Sequence, residues 1–179
     1  MKSIFSTLLL AAAALLPLSS AADAAPRTLV AYFSATGTTA AAAQKLARVT
    51  GGELYEIAPA TPYTAADLNW RDQQSRSYVE MHNPASRPAL KSTKANIADY
   101  DVIYIGYPLW WHVAPTIINT FIESHNLSGK TLIPFATSGS QDVEFSVEKL
   151  KAAYPSLQWK PGKLLNGATE DSIRAWVSK

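Results

Sequence analysis

The sequence predicts an α/β fold, a doubly wound sandwich whose five-stranded parallel sheet has the order 2-1-3-4-5. Two observations support this fold class. Short apolar runs alternate about five times with segments of helical composition, and such alternation builds a parallel sheet with helices on both faces. Five strands within about 150 residues also fit the smaller of the common doubly wound folds.

Each predicted element begins or ends at a sequence signal. The apolar run LVAYF predicts a buried strand at residues 27–33, and Gly51-Gly52 ends the helix predicted at 36–49. The run DVIYIGY at 101–107 is the strongest strand pattern in the chain. The other predicted strands are 53–57, 130–137 and 157–160, and the other predicted helices are 65–81, 115–124, 143–153 and 169–177. The longest connection between strands, residues 59–95, is expected to cover a site.

The N-terminal residues have the pattern of a secretory signal peptide. Lys2 precedes an apolar run at residues 4–18 that is too short to span a bilayer, and Ala22-Asp23-Ala24 has the small-x-small pattern of a cleavage site. We therefore expect a signal peptide at 1–24, one mature domain at 26–179, and export to the periplasm or the medium. No second long apolar run follows, so we expect no membrane span in the mature chain.

Composition argues against several classes of function. The net charge of +2 gives no sign of a nucleic-acid-binding surface. The absence of cysteine excludes disulfides, thiol catalysis and cysteine-ligated metal sites. Because His82, His112 and His125 fall on different predicted elements without metal-ligand spacing, we expect no metal site.

The hexapeptide SATGTT at residues 34–39 lies between the first predicted strand and the first predicted helix. It has neither the lysine of a P-loop nor the three glycines of a dinucleotide-binding fingerprint. It offers four hydroxyls, backbone N–H groups and a helix N-terminus, which together can hold an anion. A site without a cation suits a terminal phosphate monoester that is not transferred. An ordinary serine or threonine N-cap is the alternative interpretation.

Two further loops follow the third and fourth predicted strands. GYPLWWHVAP at 106–115 has adjacent tryptophans, which point to opposite sides of an extended chain, so at least one is expected to be an exposed stacking surface. Packing of both tryptophans in the core is the alternative. FATSGSQ at 135–141 offers small polar groups. Because strands one, three and four are neighbours in the predicted order, all three loops are expected to converge.

A serine hydrolase is a weaker alternative. Ser138 or Ser140 could serve as the nucleophile, with His112 or His125 as the base. However, the sequence lacks the G-x-S-x-G elbow, and no motif couples either histidine to a serine.

Together these motifs resemble the flavodoxin family. SATGTT is similar to the family's Ser/Thr-x-Thr-Gly-x-Thr loop, which holds the phosphate of FMN. GYPLWWHVAP resembles the flavin-ring loop of a flavodoxin-like subgroup with the pattern Gly-Tyr-Pro-x-Trp-Trp, and residues 70–88 resemble that subgroup's segment between strands two and three. The resemblance covers nearly the whole mature chain. It implies a flavodoxin-like sandwich with FMN as the cofactor.

The resemblance also implies roles for particular residues. The phosphate would be bound by Ser34, Ala35, Thr36, Gly37, Thr38 and Thr39. The isoalloxazine would be lined by Pro108, Leu109, Trp110, Trp111 and His112, and its other edge would meet Thr137, Ser138 and Gly139. No catalytic side chain is implied, because the flavin itself carries the redox chemistry.

Two departures from the family bear on function. Many electron-transfer flavodoxins are strongly acidic, whereas this chain is slightly basic. The loop after the fourth predicted strand has no aromatic residue, so we expect one flavin face to be open to a small molecule such as a quinone. The expected function is electron transfer, or reduction of a small acceptor, with a small molecule or a redox protein as partner. A non-redox module that holds a phosphorylated ligand is the alternative.

Overall fold

The computed structural model describes residues 25–139 and 142–178, which form a parallel sheet with helices on both faces. The strands are β1 (Thr28–Tyr32), β2 (Glu53–Glu56), β3 (Val102–Pro108), β4 (Thr131–Thr137), β5 (Gln158–Trp159) and β6 (Lys163–Leu164). The helices are α1 (Thr38–Thr50), α2 (Arg76–Met81), α3 (Ile117–Glu123), α4 (Glu144–Ala153) and α5 (Glu170–Val177), with a 3₁₀ turn at Ile97–Asp99. The strand order β2-β1-β3-β4-β5 confirms the predicted fold class. The predicted signal peptide and Ser140 lie outside the described residues.

The fifth position of the sheet is divided between two short strands. Both β5 and β6 pair parallel with β4, through Leu132↔Trp159 and Phe135↔Lys163. Between them the chain passes close to α4, where a Cβ on Gly162 would lie 2.8 Å from a methyl carbon of Val147. The sequence predicted one strand here. It missed β6 because a two-residue strand shows no periodicity and because proline and glycine precede it.

Alternating side chains of the strands build a core on each face of the sheet. On one face Ala31 of β1 and Ile103 and Ile105 of β3 pack against α3 and α4. On the other face Val30 and Phe135 pack against α1 and α5. Burial on both faces explains why the sequences of β1, β3 and β4 read as nearly continuous apolar runs.

The helix predicted at 65–81 is wrong over most of its length, because α2 begins only at Arg76. Just before this range, the Thr64 hydroxyl accepts a hydrogen bond from the Asp67 N–H at 3.1 Å, as an N-cap residue does, but only a turn follows. Farther along, the Asp72 carboxylate accepts from the Gln74 N–H at 2.8 Å. Such local bonds from aspartate and threonine side chains compete with helical hydrogen bonding.

The segment 59–95 is nevertheless held by polar contacts, both within itself and to α3. Arg76 lies 3.9 Å from the centre of the Tyr63 ring and bonds the Glu80 carboxylate at 2.7 Å. The Tyr63 hydroxyl donates a hydrogen bond to the same carboxylate. Burial, and to a smaller extent the hydrogen bond to Glu80, raises the pKa of Tyr63 well above its ordinary value. At the far end of the segment, Arg87 makes a bidentate ion pair with Glu123 of α3.

The Arg87–Glu123 pair gives a prediction for stability at acid pH. The hydrogen bond from Arg87 lowers the pKa of Glu123 below its ordinary value of 4.5. A carboxyl with a depressed folded-state pKa stabilises the fold fully above that ordinary value and loses the contribution as the pH falls through the folded-state pKa. We expect Glu123→Gln to reduce the unfolding free energy that the protein loses between pH 7 and pH 3. The reduction should be less than about 1 kcal/mol, because the ion pair is partly exposed. Urea unfolding between pH 3 and 7 measures this.

The matched control is Glu148→Gln, which changes an exposed glutamate on α4. If both variants reduce the acid-induced loss of unfolding free energy equally, net charge and not the Arg87 contact determines the stability at acid pH.

Candidate functional site

Three loops meet at the carboxyl edge of the sheet, where β1, β3 and β4 end. The hydroxyls of Thr39, in the first turn of α1, and Thr137, at the end of β4, lie 2.8 Å apart and are both buried. The N–H of Leu109, just after β3, donates to the Thr137 carbonyl at 2.9 Å. The structure therefore brings together the three loops that the sequence singled out, at the switch point of the doubly wound sheet.

The buried Thr39–Thr137 hydrogen bond gives a prediction of its own. Thr137→Val leaves the Thr39 hydroxyl buried without its partner, which we expect to cost about 1–3 kcal/mol of unfolding free energy. The double variant Thr39→Val with Thr137→Val removes both hydroxyls and should cost less than the sum of the single changes. A urea-unfolding double-mutant cycle measures the difference. Additive losses would show that the two hydroxyls do not stabilise each other.

The N-terminus of α1 is open to an anion. Gly37 occupies the N-cap position with a φ of 90°, a left-handed conformation that favours glycine, and no side chain caps the helix. The Ser34 hydroxyl accepts from the Gly37 N–H at 3.1 Å and closes the loop. Thr36 and Thr38 are exposed beside the first N–H groups of the helix. Those N–H groups have no acceptor within the helix, and the helix dipole adds positive potential.

The loop after β3 contains a turn with unusual backbone conformation. Trp110 and Val113 exchange backbone hydrogen bonds of 3.0 Å each, and the residues between them, Trp111 and His112, have φ values of 46° and 68°. Positive φ at both central positions is the pattern of a type I′ turn, which normally takes asparagine and glycine. Bulky residues there cost on the order of 1–3 kcal/mol each and concentrate at functional sites.

The two tryptophans of this loop point to different neighbours. Trp110 makes edge contacts with Phe33 and Tyr63, at 5.6 and 5.4 Å between ring centres. Trp111 makes edge contacts with Tyr78 and His82 of the 59–95 segment, at 5.7 and 5.5 Å. Both are half-buried, so neither is the freely exposed side chain that was expected and neither is fully in the core. Each tryptophan has a surface that lines a cleft at this edge of the sheet.

The cleft at this edge has two adjoining lobes that share Thr36 and residues 108–110. The threonine lobe, of about 370 Å³, is also lined by Thr38, Thr137, Ser138, Gly139 and Asn166. The tryptophan lobe, of about 460 Å³, is also lined by Ala35, Thr39, Leu68, Trp70, Ser77, Trp111 and His112. These volumes are typical of small-molecule sites.

Nearly all of the residues predicted for the site line one of the lobes. The exceptions are Ser34 and Gly37, which are joined by a hydrogen bond within the first loop. Sequence reasoning missed Leu68, Trp70 and Ser77, for which the signals were the length of the 59–95 connection and the resemblance of residues 70–88 to the subgroup's segment. It also missed Asn166, whose side-chain amide bonds both backbone groups of Ser138.

The pairing of His125 with Ser138 in a serine hydrolase is not supported by the geometry of the described residues. His125 lies just beyond α3, where its Nδ1 bonds the Phe121 carbonyl at 2.7 Å and its Nε2 accepts from the Lys94 N–H at 2.9 Å. With both ring nitrogens engaged, His125 is not available as a base for Ser138. Within residues 25–139 and 142–178, no cluster of three or more histidine or carboxylate side chains could hold a metal ion. Over the same residues, no helix has the length and hydrophobicity needed to cross a bilayer.

The fold and the cleft define a doubly wound α/β protein with a ligand site at the switch point between β1 and β3. The sequence profile of the flavodoxin family matches residues 27–179, so the chain belongs to that family. No curated protein matches the chain.

Two solved structures from Bacteroides are similar in both sequence and fold. A protein of Bacteroides eggerthii described as a flavoprotein is 60% identical, with a TM-score of 0.84, over 86% of this chain and 96% of its own. A protein of Bacteroides uniformis with the same description is 55% identical, with a TM-score of 0.84, over 86% of this chain and 99% of its own.

A more distant solved structure shares the fold. It is a Lactobacillus acidophilus flavoprotein in complex with FMN, 21% identical, with a TM-score of 0.66, and it covers 87% of this chain and 100% of its own.

Proposed function

We propose that this protein binds FMN in the two-lobed cleft and uses it for electron transfer or for reduction of a small acceptor such as a quinone. The observation that carries the proposal is the meeting of an uncapped helix N-terminus, an aromatic loop and a small polar loop in one cleft. Membership of the flavodoxin family supports it, as does the FMN complex of the Lactobacillus protein with the same fold.

The residues of the cleft fit the chemistry of FMN. The Thr36 and Thr38 hydroxyls and the first N–H groups of α1 would hold the phosphate. No lysine is needed for this, and Lys45 is directed elsewhere, since its ammonium group bonds the Ala168 carbonyl at 3.0 Å. The Asn166 amide orders the backbone of the loop after β4, which offers polar partners to the edge of the flavin.

The protein's contribution would be to bind, orient and shield the flavin. Bound FMN supplies the capacity to take up and release one or two electrons. The wall at residues 108–110 lies between the two lobes and would hold the ring system in place.

Spectroscopy and rapid kinetics test the proposal. A visible-absorbance titration of the mature protein should show stoichiometric FMN binding, whereas no binding at micromolar concentration would contradict the redox function. Such a result would favour the non-redox phosphate-binding module. Stopped-flow reduction by NAD(P)H followed by reoxidation with a quinone then separates two forms of the proposal. A reductase turns over both small molecules, and a pure carrier needs a protein donor.

We also propose that the chain is exported and cleaved after Ala24, on the strength of its N-terminal sequence pattern. Intact-mass measurement of the protein from a periplasmic fraction should then give a chain that begins at Ala25. A full-length mass in the cytosolic fraction alone would contradict export. Because soluble nicotinamide cofactors are found mainly inside cells, an exported form would take its electrons from a membrane quinol or a protein partner.

A further inference from the structure

The tryptophan lobe contains groups that binding of the FMN phosphate does not require. It shares Thr36 and residues 108–110 with the threonine lobe, but its outer part is built by Leu68, Trp70 and Ser77 of the long 59–95 connection. This outer part lies next to the proposed flavin site, and it belongs to a different segment from the loop after β4.

Ser77 places an unsatisfied hydroxyl in this lobe. Its side chain is only 2% exposed, and its Oγ has no hydrogen-bond partner among the described residues. The backbone is fixed, because the Ser77 N–H donates to the Asp67 carbonyl at 2.9 Å. An unpaired buried hydroxyl costs free energy, so it is usually satisfied by a partner, and a ligand in the lobe is one such partner.

Trp70 adds an exposed aromatic surface to the same lobe. Its side chain is 61% exposed, although large apolar side chains normally gain by burial. The Arg71 guanidinium lies 4.8 Å from the centre of the Trp70 ring, and the ring remains on the surface. An exposed indole that lines the lobe offers a surface suited to a flat ring.

We propose that the outer part of the tryptophan lobe, built by Leu68, Trp70 and Ser77, binds the electron-exchanging substrate, and that this substrate is a flat, largely apolar molecule with a carbonyl oxygen. Ser77 donates its hydroxyl hydrogen to that oxygen, and Trp70 contacts the ring. The proposal rests on the proposed function, because the substrate must lie beside FMN to exchange electrons. It also adds to the expectation of an open flavin face, because Trp70 of the 59–95 segment would border that open side.

Binding of menadione, a naphthoquinone, tests this proposal without turnover. The mature protein, with and without FMN, is titrated by calorimetry with menadione and with 2-methylnaphthalene, which has no carbonyl groups. Ser77→Ala should weaken menadione binding by about three- to tenfold and leave 2-methylnaphthalene unchanged, since only menadione accepts the hydrogen bond. Trp70→Ala should weaken both ligands by about five- to tenfold. FMN affinity should stay within about twofold in both variants.

Phe145→Ala is the matched control for Trp70→Ala. Phe145 is also exposed, at 49%, and also has a cation near its ring, Lys149 at 5.1 Å, but it lines neither lobe. It should change neither ligand. The melting temperature of Ser77→Ala should equal or exceed that of the wild type, because the change removes a buried unpaired hydroxyl.

The results separate failure of this inference from failure of the proposed function. If FMN binds but wild-type menadione binding is absent, or if Ser77→Ala weakens both aromatic ligands equally, the substrate lobe is wrong and the FMN site stands. If both variants weaken FMN as strongly as menadione, the lobe holds the cofactor and not a substrate. If FMN does not bind while menadione shows the expected pattern, the redox function fails and the lobe remains a quinone-type site.

Discussion

Replacing Thr36 and Thr38 together with valine is expected to weaken FMN binding by about 100-fold or more while changing riboflavin affinity by less than about threefold. A hydrogen bond to a charged group contributes about 1.5–3 kcal/mol, so two such bonds account for at least about 3 kcal/mol of FMN affinity. Riboflavin has no phosphate and loses neither bond. Both threonines are exposed in the protein, so the change should leave the fold intact.

Quenching of flavin fluorescence during titration with apoprotein measures both affinities in the same buffer. Thr93→Val, at an exposed threonine of the 59–95 segment that lines neither lobe, is the matched control. An equal loss of FMN and riboflavin affinity would place the phosphate elsewhere. It would also return the 34–39 loop to the alternative interpretation, an ordinary helix start.

Much of this site could be predicted because its parts follow strands directly. The apolar runs of β1, β3 and β4 are unambiguous, and the order of the sheet then fixes which loops are neighbours. Thr39 and Thr137 are 98 residues apart in sequence, yet the topology alone predicted that their loops meet. A functional residue at the end of a well-defined strand can therefore be located without knowledge of side-chain packing.

The outer part of the cleft could not be predicted, because its residues are positioned by irregular structure. Trp70 and Ser77 reach the cleft through turns whose path depends on side-chain bonds such as Asp72 to the Gln74 N–H. Asn166 reaches Ser138 only because the two-residue strand β6 pairs with β4. Neither the turns nor β6 has a periodic pattern. The length of the 59–95 segment indicated its position as a cover but not which side chains face inward.

Several locally unfavourable features lie at the carboxyl edge of the sheet. These are the uncapped N-terminus of α1, the positive φ values of Trp111 and His112, and the unpaired hydroxyl of Ser77. By contrast α5 has Thr169 as a side-chain cap and acidic residues in its first turn. Departures from locally optimal structure are expected where function requires them. Their clustering agrees with a binding role for this edge.

The second large effect concerns Gly106, which places β3 against β4 just before the tryptophan loop. Gly106 is the register partner of Phe135, whose ring covers it in the core shared with α1 and α5. A Cβ on Gly106 would lie 2.7 Å from Cε1 of Phe135 and closer still to two other ring carbons. Because Phe135 is fully buried, its ring has no free space to move into. Gly106→Ala is therefore expected to cost at least about 2 kcal/mol of unfolding free energy.

Thermal and urea unfolding of a double-mutant cycle test whether the Phe135 ring causes this loss. Gly106→Ala alone should lower the melting temperature by roughly 5–10 °C. Adding Phe135→Leu removes the clashing ring atoms, so the double variant should be more stable than the sum of the single changes by more than about 1 kcal/mol. Gly139→Ala, where an added Cβ meets no atom within 4 Å, should change stability by less than about 0.5 kcal/mol. Additive effects of the first two changes would mean that Gly106 is required for its backbone conformation and not for the space that it leaves to Phe135.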